Sequence, residues 1–200
     1  MTDLLTSDAT NALYVTGMVL VLRSSVELNL ATNDYESARV TINEAMNLLA
    51  KAVAEDSVNV RHLTRLASFR RFHVLASAEL GKLEPAQLSA LEKGRQDLEA
   101  LFQENPTNAA LIEEWILTSL AFAEVRGAQS PAVALTRITK AAEVSEAQRV
   151  AVGNDEGSAT YPWRILSAAC SKQAGKICEQ IGDLAEAQRH WNRTEGLRFP

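Results

Sequence analysis

The apolar positions of this chain recur every three or four residues, the spacing of one helix face. Ile112, Trp115, Ile116, Leu120 and Ala123 form one such stripe, and Leu63, Leu66, Ala67, Phe69, Phe72 and Ala76 form another. No alternating Val/Ile/Thr-rich run predicts a strand. Breaker and cap residues divide the pattern into eight helical segments. The first runs from about Asp8 to Ala31 and ends at Asn33-Asp34. The second covers about Tyr35 to Ala54, and the cap-rich stretch Glu55–Asn59 follows it. The third covers about Val60 to Leu80 and stops at Gly81. Pro85 opens the fourth, which Asn105-Pro106 ends. Thr107 or Asn108 caps the fifth, which runs to Arg126. Ser130-Pro131 opens the sixth, which fades at Gly153. The seventh runs from about Pro162 to Ile181, and the eighth from Asp183 to about Glu195.

The segments pair into hairpins at about 8–54, 57–104, 107–152 and 160–196. Their central breakers, Asn33, Gly81, Gly127 and Gly182, lie about 46 to 55 residues apart, the kind of period that stacked helical arrays carry. One hairpin cannot bury its apolar face alone, so repetition supplies the core.

Two stretches bring a family into view. Thr32-Asn33-Asp34-Tyr35-Glu36-Ser37-Ala38 leads to Ile42 and Ala45, and Gly182-Asp183-Leu184-Ala185-Glu186-Ala187 leads to Trp191. Each places a small residue five positions after the turn and a large apolar residue four beyond it. This frame resembles the centre of a tetratricopeptide repeat and returns more loosely at Gly127, Ala134, Ile138 and Ala141. The resemblance implies an all-α fold: a single domain over 1–200, a right-handed solenoid of about four stacked antiparallel hairpins. Ala38, Ala134 and Ala187 would sit where paired helices cross, with Gly175 as a small partner. The second hairpin departs from the frame, because Gly94 takes the small position thirteen residues after Gly81. The turns Asp56-Ser57-Val58-Asn59 and Asn105-Pro106-Thr107-Asn108 also resemble those in C-terminal regions of bacterial membrane-anchored serine/threonine kinases and winged-helix regulators. That likeness implies the sensor or scaffold part of a longer bacterial protein.

Composition narrows the function classes. The net charge is −5, which opposes general nucleic-acid binding, where a basic face must replace phosphate counterions. The densest basic stretch, Arg61, His62, Arg65, Arg70, Arg71 and His73, includes Phe69 and Phe72. Helical spacing reads those two as core rather than as base-stacking platforms. Trp115, Trp163 and Trp191 read as core as well. No glycine-rich phosphate loop, Gly-x-Ser-x-Gly or His-Glu-x-x-His motif is present, and His62, His73 and His190 are scattered. No enzyme activity, cofactor or metal is expected. Asn154-Asp155-Glu156 lacks the alternating ligand spacing of a calcium loop and reads as a solvated loop. Cys170 and Cys178 would lie about 12 Å apart on one helix, too far to pair.

The function the resemblance implies is protein–protein interaction, with the first helix of each hairpin lining a concave groove. Its groove positions fall on Arg23, Glu27, Arg71, Leu75, Leu117, Glu124, Lys172 and Lys176. The four cations would grip a carboxylate-bearing segment through charge-assisted hydrogen bonds. The competing reading of these positions is an ordinary solvated helix face. The apolar run Ala12–Leu22 is about eleven residues, short of the ~20 that span a membrane. Asp3 and Asp8 stand where a signal sequence carries Lys or Arg. Leu13 to Leu22 are apolar nearly all round the helix. Either a preceding segment or a second copy of the chain, as a homodimer, is expected to cover them.

Overall fold

The computed structural model describes residues 12–152 and 161–196. These residues form eight α-helices and no strand. They are α1 (Ala12–Ala31), α2 (Tyr35–Glu55), α3 (Val60–Glu79), α4 (Pro85–Glu104), α5 (Ala109–Arg126), α6 (Pro131–Val152), α7 (Tyr161–Gln180) and α8 (Leu184–Gly196). The expected start of the first helix at Asp8 and the acidic loop at Asn154–Glu156 lie outside the described residues.

The helix ends follow from local chemistry. Asp34 Oδ1 accepts from the Ser37 amide, Asn59 Oδ1 from that of His62, Asn108 Oδ1 from that of Leu111, and Asp183 Oδ1 from that of Glu186. Each satisfies an amide that the first helical turn leaves without a partner. At α4 the Glu84 amide donates to Gln87 Oε1 at 2.8 Å, half of a reciprocal capping box, with Pro85 at the first helical position.

Three of the hairpin turns are built identically. Asn33, Gly81 and Gly182 adopt left-handed φ of 59°, 64° and 81°. The following amides, of Asp34, Lys82 and Asp183, donate five residues back to the carbonyls of Asn29, Ser77 and Cys178. This closure consumes the last carbonyls of α1, α3 and α7 and needs a residue that tolerates positive φ. Gly127 serves differently. Its φ is not in the left-handed region. A Cβ there would lie 2.7 Å from the Ala123 carbonyl oxygen and 3.2 Å from Ile177 Cγ1, so the α5 backbone chiefly, and α7 in addition, leave no room for a side chain.

The chain groups into two compact units, Met1–Leu111 and Ile112–Pro200. In the first, α1 to α4 pack in succession. Val15, Val19, Leu22 and Val26 of α1 meet Ala38, Ile42, Ala45 and Leu49 of α2, together with Leu66, Phe69 and Phe72 of α3. The two phenylalanine rings pack edge to face, 6.2 Å apart. Each fully buried large side chain contributes about 1.5–3 kcal/mol before entropy is counted. Gly94 of α4 faces Ala67 and the stem of Arg70 on α3, where a Cβ would make ordinary contacts of 3.6 Å.

In the second unit, Trp115 and Ile116 of α5 are buried, as are Ala134, Ile138 and Ala141 of α6 and Ala174 and Ile177 of α7. The guanidinium of Arg137 lies 4.0 Å over the Phe122 ring, tying α6 to α5. Ser145 Oγ donates to the Trp163 carbonyl at 2.8 Å, tying α6 to α7. Trp191 of α8 closes over Gly175 of α7 and donates its indole N–H to Glu179. Cys170 and Cys178 are both free and buried.

Candidate functional site

The expected groove residues fall into different environments. Arg23 and Glu27 are exposed on α1 and pair with each other at 2.8 Å. Arg71 is buried in α3, only 7% exposed, with its guanidinium 4.4 Å over the Phe72 ring. Leu75 and Leu117 are half-buried, while Glu124, Lys172 and Lys176 are exposed. Lys172 and Lys176 stand one turn apart on α7 and make no ion pair among the described residues.

The basic stretch of α3 separates in three directions. His62 and Arg71 turn inward and are buried. Arg61 and Arg65 lie toward Arg23 of α1. Burial holds the Arg65 guanidinium below its ordinary pKa, and the charges of Arg61 and Arg23 lower it further. Its Nη1 is buried without a hydrogen-bond partner among the described residues. Two like charges, Arg61 and the Glu27-paired Arg23, act on this partly buried guanidinium, so an added carboxylate would be favoured beside Arg65.

Arg70 and His73 take the third direction, into a cleft of about 360 Å³ between α2, α3 and α4. Met46 and Leu66 supply its larger apolar surface, with Ala50, Ala86 and Ala90 leaving it room. Asn47, Arg70, His73 and Gln87 supply its polar lining. Because Gln87 Oε1 accepts from the Glu84 amide, its NH₂ faces His73 Nε2 at 2.9 Å and Ser77 Oγ at 3.0 Å. His73 Nε2 is therefore the acceptor, and its ring proton sits on Nδ1. Burial pushes the His73 pKa down and the nearby Arg39 charge pushes it further, against an opposing pull from Glu84. The imidazole is neutral at neutral pH. Arg70 makes no ion pair among the described residues.

Sequence reasoning singled out Arg23 but assigned Arg61, Arg65 and Arg70 no groove role. A single positive run gives no direction for each charge. The cleft had one legible signal, the eight-residue excess between Gly81 and Gly94, since Ala86 and Gln87 lie inside it. His190 is half-buried, with Nε2 3.5 Å from Glu186. The three histidines thus occupy separate settings. No helix among the described residues is long and apolar enough to cross a membrane, and they contain no His/Cys/Asp/Glu group placed to hold a metal ion. The sequence matches no protein-family model, and comparison with curated proteins and with solved structures returns no significant match.

Proposed function

We propose that this chain is a non-enzymatic protein-interaction module made of degenerate tetratricopeptide-like hairpins, binding an acidic segment of another protein. The identical closures at Asn33, Gly81 and Gly182 support the repeat reading. So do the buried residues that follow each turn, Ala38 with Ile42, Gly94 with Leu98, and Ala187, although Trp191 after it is half-buried rather than core. The observation that carries the binding reading is the convergence of Arg23, Arg61 and Arg65, with a buried Arg65 Nη1 that has no acceptor. An aspartate or glutamate side chain would supply that acceptor and offset the mutual repulsion. A charged hydrogen bond of this kind contributes about 1.5–3 kcal/mol when desolvated. It contributes much less where it stays wet.

The test is fluorescence anisotropy of labelled acidic peptides, extended and helical, against the full chain. Arg23→Glu with Arg61→Glu should weaken binding at least tenfold while circular dichroism stays unchanged. Lys172→Glu with Lys176→Glu tests the exposed lysines of α7 separately. Binding indifferent to the first pair rejects the arginine site.

A second reading has its own support. Leu20, Val21 and Leu28 of α1 are 51%, 65% and 63% exposed. A second copy covering them would make a homodimer, as expected for an apolar helix with only one stripe in the core. Sedimentation of wild type and Val21→Glu separates the readings, because only self-association predicts a fall in mass.

A further inference from the structure

The cleft between α2, α3 and α4 lies on residues that the peptide-binding reading does not use. In the regular frame the small crossing residue comes five positions after the turn, as Ala38 follows Asn33 and Ala187 follows Gly182. In the second hairpin it comes thirteen positions after, as Gly94 follows Gly81. Two of the eight surplus residues fall in the turn before Pro85. The other six, about one and a half to two turns at ~3.6 residues per turn, stand in α4 ahead of Gly94 and carry Ala86 and Gln87. The departure from the repeat therefore supplies one wall of the cleft. Its small side chains leave open a volume of about 360 Å³, within the ~300–1,000 Å³ range of small-ligand sites.

The lining defines what would fit. Met46 and Leu66 give apolar surface for a hydrocarbon body. Arg70 is the one cation in the lining. No carboxylate of the described residues pairs with it. Asn47 and Gln87 offer neutral amides, and His73 is neutral with Nε2 already engaged. One full positive charge beside an apolar floor matches one negative charge on an apolar body. A phosphate dianion would call for more cationic donors than this lining provides.

We propose that this cleft binds a small amphipathic monocarboxylate, with the carboxylate on the Arg70 guanidinium and the hydrocarbon body over Met46 and Leu66. The reading is independent of the arginine site around Arg65, so each can fail alone.

The test titrates the full chain with octanoate by isothermal calorimetry and by ¹H–¹⁵N NMR, with octanol and octylamine as matched probes. Saturable octanoate binding is expected, with amide shifts concentrated at residues 46–50, 66–73 and 86–90. Octanol and octylamine should bind at least tenfold more weakly. Arg70→Gln should lower octanoate affinity at least tenfold. Ala90→Leu, which fills the cleft and leaves the charge in place, should abolish binding, with circular dichroism confirming that both variants fold. Absence of saturable octanoate binding overturns the proposal. So does binding that Arg70→Gln and Ala90→Leu leave intact, or equal affinity for octanol, which would mark plain hydrophobic adsorption.

Discussion

Gly175 and Trp191 are packed so closely that a Cβ on the glycine would lie 3.0 Å from Cε2 of the indole and 3.2 Å from Cζ2. The indole cannot retreat freely, because its N–H donates to Glu179 Oε1 at 2.9 Å. A glycine inside a helix ordinarily costs about 1 kcal/mol relative to alanine. Here overpacking of about 1–3 kcal/mol opposes that gain. Gly175→Ala should therefore lower the stability of the second unit in urea denaturation.

Gly94 gives the opposite sign. A Cβ there would lie 3.6 Å from Ala67 Cβ, an ordinary van der Waals contact. Gly94→Ala should raise stability by about 0.5–1 kcal/mol, since only the helix-propensity gain remains. A loss comparable to that of Gly175→Ala would show that α3 and α4 approach more closely than these distances state.

The turn glycines have another requirement. Gly81 and Gly182 have open space where a Cβ would stand, but φ of +64° and +81°. Alanine at either position should cost about 1–2 kcal/mol from left-handed strain alone. Asn33 holds the same conformation with a side chain that tolerates it. Asn33→Gly should change stability by only a few tenths of a kcal/mol, and thermal unfolding of the three variants checks the ranking.

The first unit should lose stability on mild acidification. His73 has a folded pKa below its ordinary 6.5. The unfolded chain then binds the proton more readily than the folded one. Its contribution is fully present above pH 6.5 and is lost as pH falls from there through the lowered folded value. Protonation also sets Nε2–H against the Gln87 NH₂, donor against donor, and breaks the bond that spans α3 and α4. His190, in the second unit, is shifted the same way by burial, so that unit should show its own loss on acidification. Replacing His73 with Gln should flatten the midpoint-versus-pH curve between pH 7 and 5; an unchanged slope would refute the assignment.

The helices were legible because their ends rest on local chemistry. Asn59 and Asn108 cap the helices where the sequence places caps, Pro85 opens α4 as expected, and Asn33, Gly81 and Gly182 turn where the sequence places breakers. Gly175 was anticipated as a small residue at a crossing, although its neighbour is Trp191. The directions of the α3 side chains were not legible. Ser68, Phe69, Arg71, Phe72 and Val74 are all buried, so this helix has no single core face for a 3.6-residue period to reveal. Arg71, read as a groove cation, lies inside, while Arg70 next to it opens into the cleft. The cleft draws on three helices, and spacing within one helix cannot report such a convergence.

The cysteines give a probe of the second unit. Burial pushes the Cys170 thiol up to about 12, against a small opposing pull from Arg193. Burial also raises Cys178, and the carboxylates of Glu186 and Asp183 raise it further. The thiolate is the nucleophile toward disulfide reagents, so both residues should be nearly inert at pH 8 in the folded protein. Reaction then requires opening of α7, and its rate follows the population of the open form when closing is fast. Gly175→Ala, on the same helix, should accelerate labelling in proportion to its loss of stability. Gly81→Ala, in the first unit, is the comparison variant. Unchanged labelling there would mean that α7 opens without the first unit, whereas equal acceleration would mean that the two units open together. Rapid labelling of both thiols in the wild type would show that α7 is not closed over them.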